Sequence, residues 1–198
     1  MTRILLLKRI VFVAALVPAA TLAYNALTDN LSANPIADIT HQTGDAALMF
    51  LVITLTVTPL RRLTGWNELI RLRRMLGLFA FFYACLHLLT WVVIDQFFDL
   101  RTMAADIVER PFITIGMVTF LLLVPLAITS SAAMIRRLGK KWQTLHRLAY
   151  LATITALVHY WWGVKADFTE PRLWGLALSV LFAFRIWWAY RPRASSPS

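Results

Sequence analysis

The sequence predicts an all-α polytopic membrane protein, a bundle of six transmembrane helices with both termini cytoplasmic. Three observations carry that expectation. Of the 198 residues, 59% are hydrophobic and only 15% charged, a balance too apolar for one water-soluble core and its polar skin. Six apolar stretches have the length of about 17–25 residues that a bilayer-crossing helix needs. The basic residues between them gather on alternate loops, as chain segments retained in the cytoplasm do.

The six stretches cover 10–27, 44–60, 75–94, 112–131, 145–164 and 172–190, and the whole chain, 1–198, reads as one membrane domain. The first follows Lys8 and Arg9 and reads as a span or as a cleaved signal segment, although its apolar run is long for the latter. The second opens after Asp38-Ile39-Thr40-His41-Gln42-Thr43-Gly44. The third follows Arg71-Leu72-Arg73-Arg74 and holds Cys85, the single cysteine, which leaves no intrachain disulfide and no cysteine-based metal site. The fourth follows Arg110-Pro111, the fifth starts at Leu145-His146, and the sixth closes on Trp187-Trp188. That pair and Trp161-Trp162 suit the bilayer interface, where indoles concentrate.

Orientation follows from charge. Sixteen of the twenty basic residues fall on one side: Arg3, Lys8, Arg9, Arg61, Arg62, Arg71, Arg73, Arg74, Arg136, Arg137, Lys140, Lys141, Arg147, Arg185, Arg191 and Arg193. The opposite side takes nine of the ten acidic residues, and Glu68 is the exception. Helices one, three and five then run outward, and two, four and six inward. The net charge of +10 is therefore a topology signal and not a nucleic-acid footprint, which would keep its cations on one solvated face. Neither a glycine-rich phosphate loop nor a β-alternating region is present, so no dehydrogenase domain is expected on this chain.

Ionisable side chains inside a bilayer are costly and face the bundle interior, which makes His87, His146 and His159 candidates for function. His87 lies about 13 residues from the inner start of its helix and His159 about 15, so both sit near 20 Å deep at 1.5 Å per residue. Two neutral imidazoles at one depth can take both axial positions of a haem iron, an arrangement suited to electron transfer; packing by interhelical hydrogen bonds is the other reading. His146 starts the fifth helix near the inner surface with no histidine partner. Arg73 shares a face with His87 and reads as part of an inner haem site or, with Arg74, as a positive-inside anchor. A straight helix would turn His146 some 140° from His159. His41, at the outer mouth of helix two, reads as a relay or contact group or as a solvated surface histidine.

The segments Arg71-Leu72-Arg73-Arg74-Met75-Leu76-Gly77-Leu78, Leu138-Gly139-Lys140-Lys141-Trp142-Gln143-Thr144-Leu145-His146 and His159-Tyr160-Trp161-Trp162 resemble those of the MsrQ (YedZ) family, as do Asp38-Ile39-Thr40-His41 and Arg110-Pro111-Phe112. The resemblance spans nearly the whole chain. It implies a haem b subunit of the bacterial inner membrane, in the ferric-reductase-like transmembrane superfamily, with haem-linked His87, His146 and His159 and an inner-site Arg73. It also implies one or two haems, FMN, a quinone or cytoplasmic flavin reductase as electron donor, and a periplasmic MsrP-like molybdoenzyme, which reduces methionine sulfoxide in oxidised proteins, as acceptor. No residue here identifies a flavin pocket. A self-sufficient membrane reductase of quinone, ferric iron or oxygen is the competing redox expectation; a transporter or structural protein with packed histidines is the non-redox one.

Overall fold

The computed structural model describes residues 2–191, and every regular element among them is helical. In chain order they are α1 (Thr2–Leu27), α2 (Pro35–Thr64), α3 (Arg73–Leu89), α4 (Leu100–Glu109), α5 (Pro111–Ile128), α6 (Ala132–Leu138), α7 (Lys140–Leu145), α8 (Leu148–Gly163) and α9 (Thr169–Tyr190). A 3₁₀ segment, Asn67–Leu72, leads into α3, and a π-helical turn, Thr90–Asp95, prolongs it. Five segments are long and apolar enough to cross a membrane: Arg3–Leu27, Pro35–Thr64, Asn67–Asp95, Pro111–Ile128 and Thr169–Tyr190. The chain is an all-helical polytopic membrane protein. A sixth apolar helix, α8, has 16 residues.

The helix ends depart from the expected 10–27, 44–60, 112–131 and 145–164, and capping chemistry explains most of the differences. The Asn34 side chain accepts from the Ala37 N–H and Pro35 takes a first-turn position, so α2 begins at Pro35 and carries Asp38 and His41 inside the helix. It runs on to Thr64, where Gly65, at φ 71°, closes it. Likewise α1 takes Arg3, Lys8 and Arg9 into its own first turns. The fourth expected span stops at Ile128, because Ser131 caps a new helix by accepting from the Met134 N–H at 3.1 Å. The fifth expected span begins only at Leu148. Around His146 and Arg147 the backbone bonds shorten to the three-residue type, Arg147 N–H to Thr144 and Tyr150 N–H to Arg147, so no straight helix joins His146 to His159. In the loop before α4, Asp99 accepts from the Thr102 hydroxyl and the Thr102 and Arg101 N–H groups, which hold its carboxyl below its ordinary pKa.

Charge divides the bundle into two ends. Arg62 lies 5.1 Å over the Trp188 ring, and Arg191 sits 5.5 and 5.6 Å from Trp187 and Trp188, so the C-terminal ends of α2 and α9 meet at a cationic end. The starts of α1 and α3 join them there. Tyr160 donates to Glu170 at 2.7 Å at the other end, near Asp45 of α2. Arg193, counted with the basic side, lies outside the described residues.

Prolines inside the helices free backbone carbonyls that a bilayer cannot hydrate. Pro59 has no N–H for the Leu55 carbonyl of α2, and Arg185 of α9 donates to that carbonyl at 2.6 Å through Nη2. The same guanidinium donates to the Tyr150 hydroxyl at 3.3 Å, tying α9 to α2 and α8 at once. Near Pro18 of α1, the buried Tyr83 hydroxyl accepts from the Ala19 N–H at 3.1 Å and donates to the Ala15 carbonyl at 2.6 Å. It is inserted into the ladder of α1 at the position where proline has already disturbed it.

The most extensive packing joins α2 to α3 and α5 to α8, and these two pairs repeat one another in sequence at a spacing of 72 residues. Leu76, Ala80, Ala84 and His87 of α3 recur as Leu148, Ala152, Ala156 and His159 of α8, while Gly44 of α2 recurs as Gly116 of α5. Ala80 and Ala152 are both 0% exposed, as small residues packed inside helix interfaces are.

The Arg185 bond to Leu55 is testable by a double-mutant cycle. Replacing Arg185 by Met is expected to cost about 1–3 kcal/mol of unfolding free energy in detergent, and roughly 1 kcal/mol less in a Pro59→Ala background, where an N–H returns to the Leu55 carbonyl. Equal costs in the two backgrounds would show that the freed carbonyl is not what Arg185 serves.

Candidate functional site

His87 on α3 and His159 on α8 face one another, with ring centroids 5.9 Å apart and planes at 79°. Each ring is held by the helix beside it. His87 Nδ1 lies 2.9 Å from the Thr40 carbonyl of α2, and His159 Nδ1 lies 2.6 Å from the Phe112 carbonyl of α5. A carbonyl only accepts, so each Nδ1 carries the proton and each Nε2 keeps its lone pair.

Why those two carbonyls are reachable follows from helix geometry. A carbonyl in a helix already accepts from the N–H four residues on, and its second lone pair is screened by that residue's Cβ, which leans toward the helix N-terminus. Four residues after Thr40 stands Gly44, and four after Phe112 stands Gly116. A Cβ on Gly44 would come within 3.1 Å of His87 Nδ1 and Cε1, and one on Gly116 within 2.8 Å of the same atoms of His159. Glycine therefore opens both the carbonyl and the space for the ring.

Two imidazoles that bind one metal from opposite sides at bonds of ~2 Å have centroids about 6 Å apart, close to the spacing here. Among the described residues no three His, Cys, Asp or Glu side chains converge on a metal position. The pair thus suits a metal whose remaining ligands come with a macrocycle, and the residues fit a haem.

His146 does not share this geometry. It stands at the break between α7 and α8, stacked on Trp142 at 3.9 Å, with Nε2 3.0 Å from the Thr129 hydroxyl. The Trp142 indole donates to the Thr129 carbonyl at 2.9 Å, which fixes the same corner. Arg73, the first residue of α3, is half-buried and within electrostatic reach of His146, Tyr150, Arg185 and Arg61, whereas Arg74 is exposed. The structure thus separates the two arginines that the sequence left together. His41 is exposed on α2, with Asp38 and Asp45 as its charged neighbours.

The sequence reading missed Gly44, Gly116, Thr129, Trp142, Tyr150 and Arg185. Of these, the glycines were legible: each precedes its histidine by 43 residues, and each acceptor carbonyl precedes it by 47.

Known proteins resemble this chain along most of its length. Residues 43–157 match the family described as ferric reductase like transmembrane component. A protein-methionine-sulfoxide reductase heme-binding subunit MsrQ of Herminiimonas arsenicoxydans is 54% identical over 194 residues, 96% of this chain and 89% of the relative. Subunits of the same description from Ralstonia nicotianae and Rhodospirillum rubrum are 48% and 49% identical, over 91% and 93% of this chain and 85% and 89% of their own lengths. No solved structure matches the chain.

Nitrogen-15 NMR of histidine-labelled, haem-free protein is expected to show Nδ1 protonated and Nε2 bare for both His87 and His159. Nε2-protonated tautomers at either residue would contradict the carbonyl anchoring.

Proposed function

The chain belongs to the MsrQ heme-binding subunit family, with its ferric reductase like transmembrane component, and on that footing we propose that it is the haem b electron-transfer subunit of a bacterial inner-membrane methionine sulfoxide reductase system. The observation that carries the reading is the facing pair His87 and His159, both with Nδ1 bonded to a backbone carbonyl. We read the chain as one domain over 1–198 that crosses the membrane six times, with α8 as the fifth span in chain order and both termini cytoplasmic.

His87 and His159 would hold the iron of the outer haem in this reading. When bound, the haem would supply reversible one-electron transfer. The protein's own part is to hold the rings. The Thr40 and Phe112 carbonyls fix the tautomer, keep Nε2 unprotonated and raise the basicity of each ligand. Gly44 and Gly116 let the rings seat against α2 and α5. Phe112 stacks 6.3 Å from His159 and gives that ring an apolar neighbour.

At the cationic end, Arg73 and His146 stand where a reductant would meet the chain, either membrane quinone or a cytoplasmic flavin reductase. We assign them to an inner haem site: His146 as an iron ligand through Nδ1, since Nε2 is taken by Thr129, and Arg73 as a group at the haem or its carboxylates. A periplasmic MsrP-like molybdoenzyme receives the electrons at the opposite end, beside His41, and carries out the sulfoxide chemistry. FMN has no residue in this reading, since nothing in the described site presents a flavin pocket.

Optical and EPR spectra of purified variants with haem quantification test the reading. His87→Ala and His159→Ala are each expected to abolish the outer b-type haem signal, Gly116→Ala to alter it more than Gly44→Ala does, and Arg73→Ala to perturb only an inner haem. An unchanged spectrum in His87→Ala would remove the basis of the site.

A further inference from the structure

We propose that Trp91 is a positioning residue for the haem held by His87 and His159, its indole N–H donating a hydrogen bond to one of that haem's carboxylates. The proposal rests on the reading of those two histidines given above and extends it to a side chain outside the ligand set. Among the described residues, Trp91 Nε1 is the buried side-chain polar atom left without a partner. A buried donor with no acceptor is costly, and native structures supply one, from the protein or from what the protein binds.

Place and chemistry both point to the haem. Trp91 follows His87 by four residues, so it lies about one turn beyond His87 in the helical continuation of α3. It falls in the π-helical turn Thr90–Asp95, an irregularity that recurs at functional sites, and that turn packs on α2, the helix whose Thr40 carbonyl holds His87. The repeat between the two helix pairs sharpens the point. At the position equivalent to Trp91 on the His159 side stands Gly163, with nothing within 4 Å of where a Cβ would be. The two sides that match at histidine, glycine and carbonyl thus differ at the residue one turn beyond the ligand, and only one side offers a donor. Arg110, a cation of this end of the bundle, is taken up by Asp106 at 3.2 Å. A haem brings its own carboxylates, the acceptors that a lone indole N–H at this place lacks.

The test uses the haem-loaded full chain in detergent, with Trp91→Phe to remove the donor and Trp91→His to retain a ring N–H. A donor to a haem carboxylate withdraws charge from the macrocycle, so Trp91→Phe is expected to shift the midpoint potential of the His87–His159 haem downward and to move its propionate bending band in the resonance Raman spectrum, with Trp91→His closer to wild type. Reconstitution with haem dimethyl ester, whose ester carbonyls are weaker acceptors than carboxylates, is expected to reduce the difference between wild type and Trp91→Phe. The same potential and the same band in wild type and Trp91→Phe would overturn the proposal, as would a difference that survives esterification undiminished. A wild-type preparation with no b-type haem spectrum would instead overturn the reading of the histidine pair, and this proposal with it.

Discussion

The arrangement depends on a helix carbonyl that is asked to accept twice. In α2 and α5 the Thr40 and Phe112 carbonyls serve their own helices and also anchor a histidine from the neighbouring one. A Cβ on the residue four positions on would crowd the incoming ring, and Gly44 and Gly116 keep that space open. One small side chain therefore decides the tautomer of the imidazole, the direction of its free lone pair and the distance between helices. Because the device is built twice, at the same register in two helix pairs, it leaves Nε2 bare on two rings whose centroids are 5.9 Å apart.

The bilayer imposes a related constraint on the rest of the bundle. Backbone groups released inside a membrane have no water to fall back on. Pro59 releases the Leu55 carbonyl and Arg185 takes it up; near Pro18 the Tyr83 hydroxyl bridges Ala15 and Ala19. Each repair joins helices distant in sequence, so the prolines that weaken single helices also fix how the helices stand against each other. Arg185 shows why a charged side chain inside the sixth apolar stretch is more than a basic anchor. Its guanidinium satisfies α2 and α8 while it stands within electrostatic reach of Arg73, which links the packing of the bundle to its cationic end.

The two ends of the molecule were unequally readable. At the outer site, depth counting from the charge pattern brought His87 and His159 together, because both helices start at the same surface and rise by the same increment per residue. At the inner corner the same counting assumed a continuous fifth helix. The chain instead turns at His146, where Ser131 and Gly139 break the path into α6 and α7, and the wheel through His146 and His159 has no meaning across that turn. Those breakers stand in the sequence beside Arg136, Arg137, Lys140 and Lys141, but the turn at His146 and Arg147 has no glycine or proline to mark it.

By itself the sequence determined the solvent, the number of apolar stretches, the segregation of charge and the pairing of two histidines, because each follows from hydropathy, chain length and the constant rise of a helix. The 72-residue repeat and the glycines 43 residues before each histidine were also written there. Only the tertiary structure decided which lone pair each imidazole keeps free, that Arg73 is half-buried while Arg74 stays exposed, that His146 bonds Thr129, and that the Trp91 indole N–H is buried without an acceptor. The physical reason is that hydrophobic periodicity and charge act on whole segments, whereas hydrogen-bond direction is set by individual atoms of helices far apart in sequence.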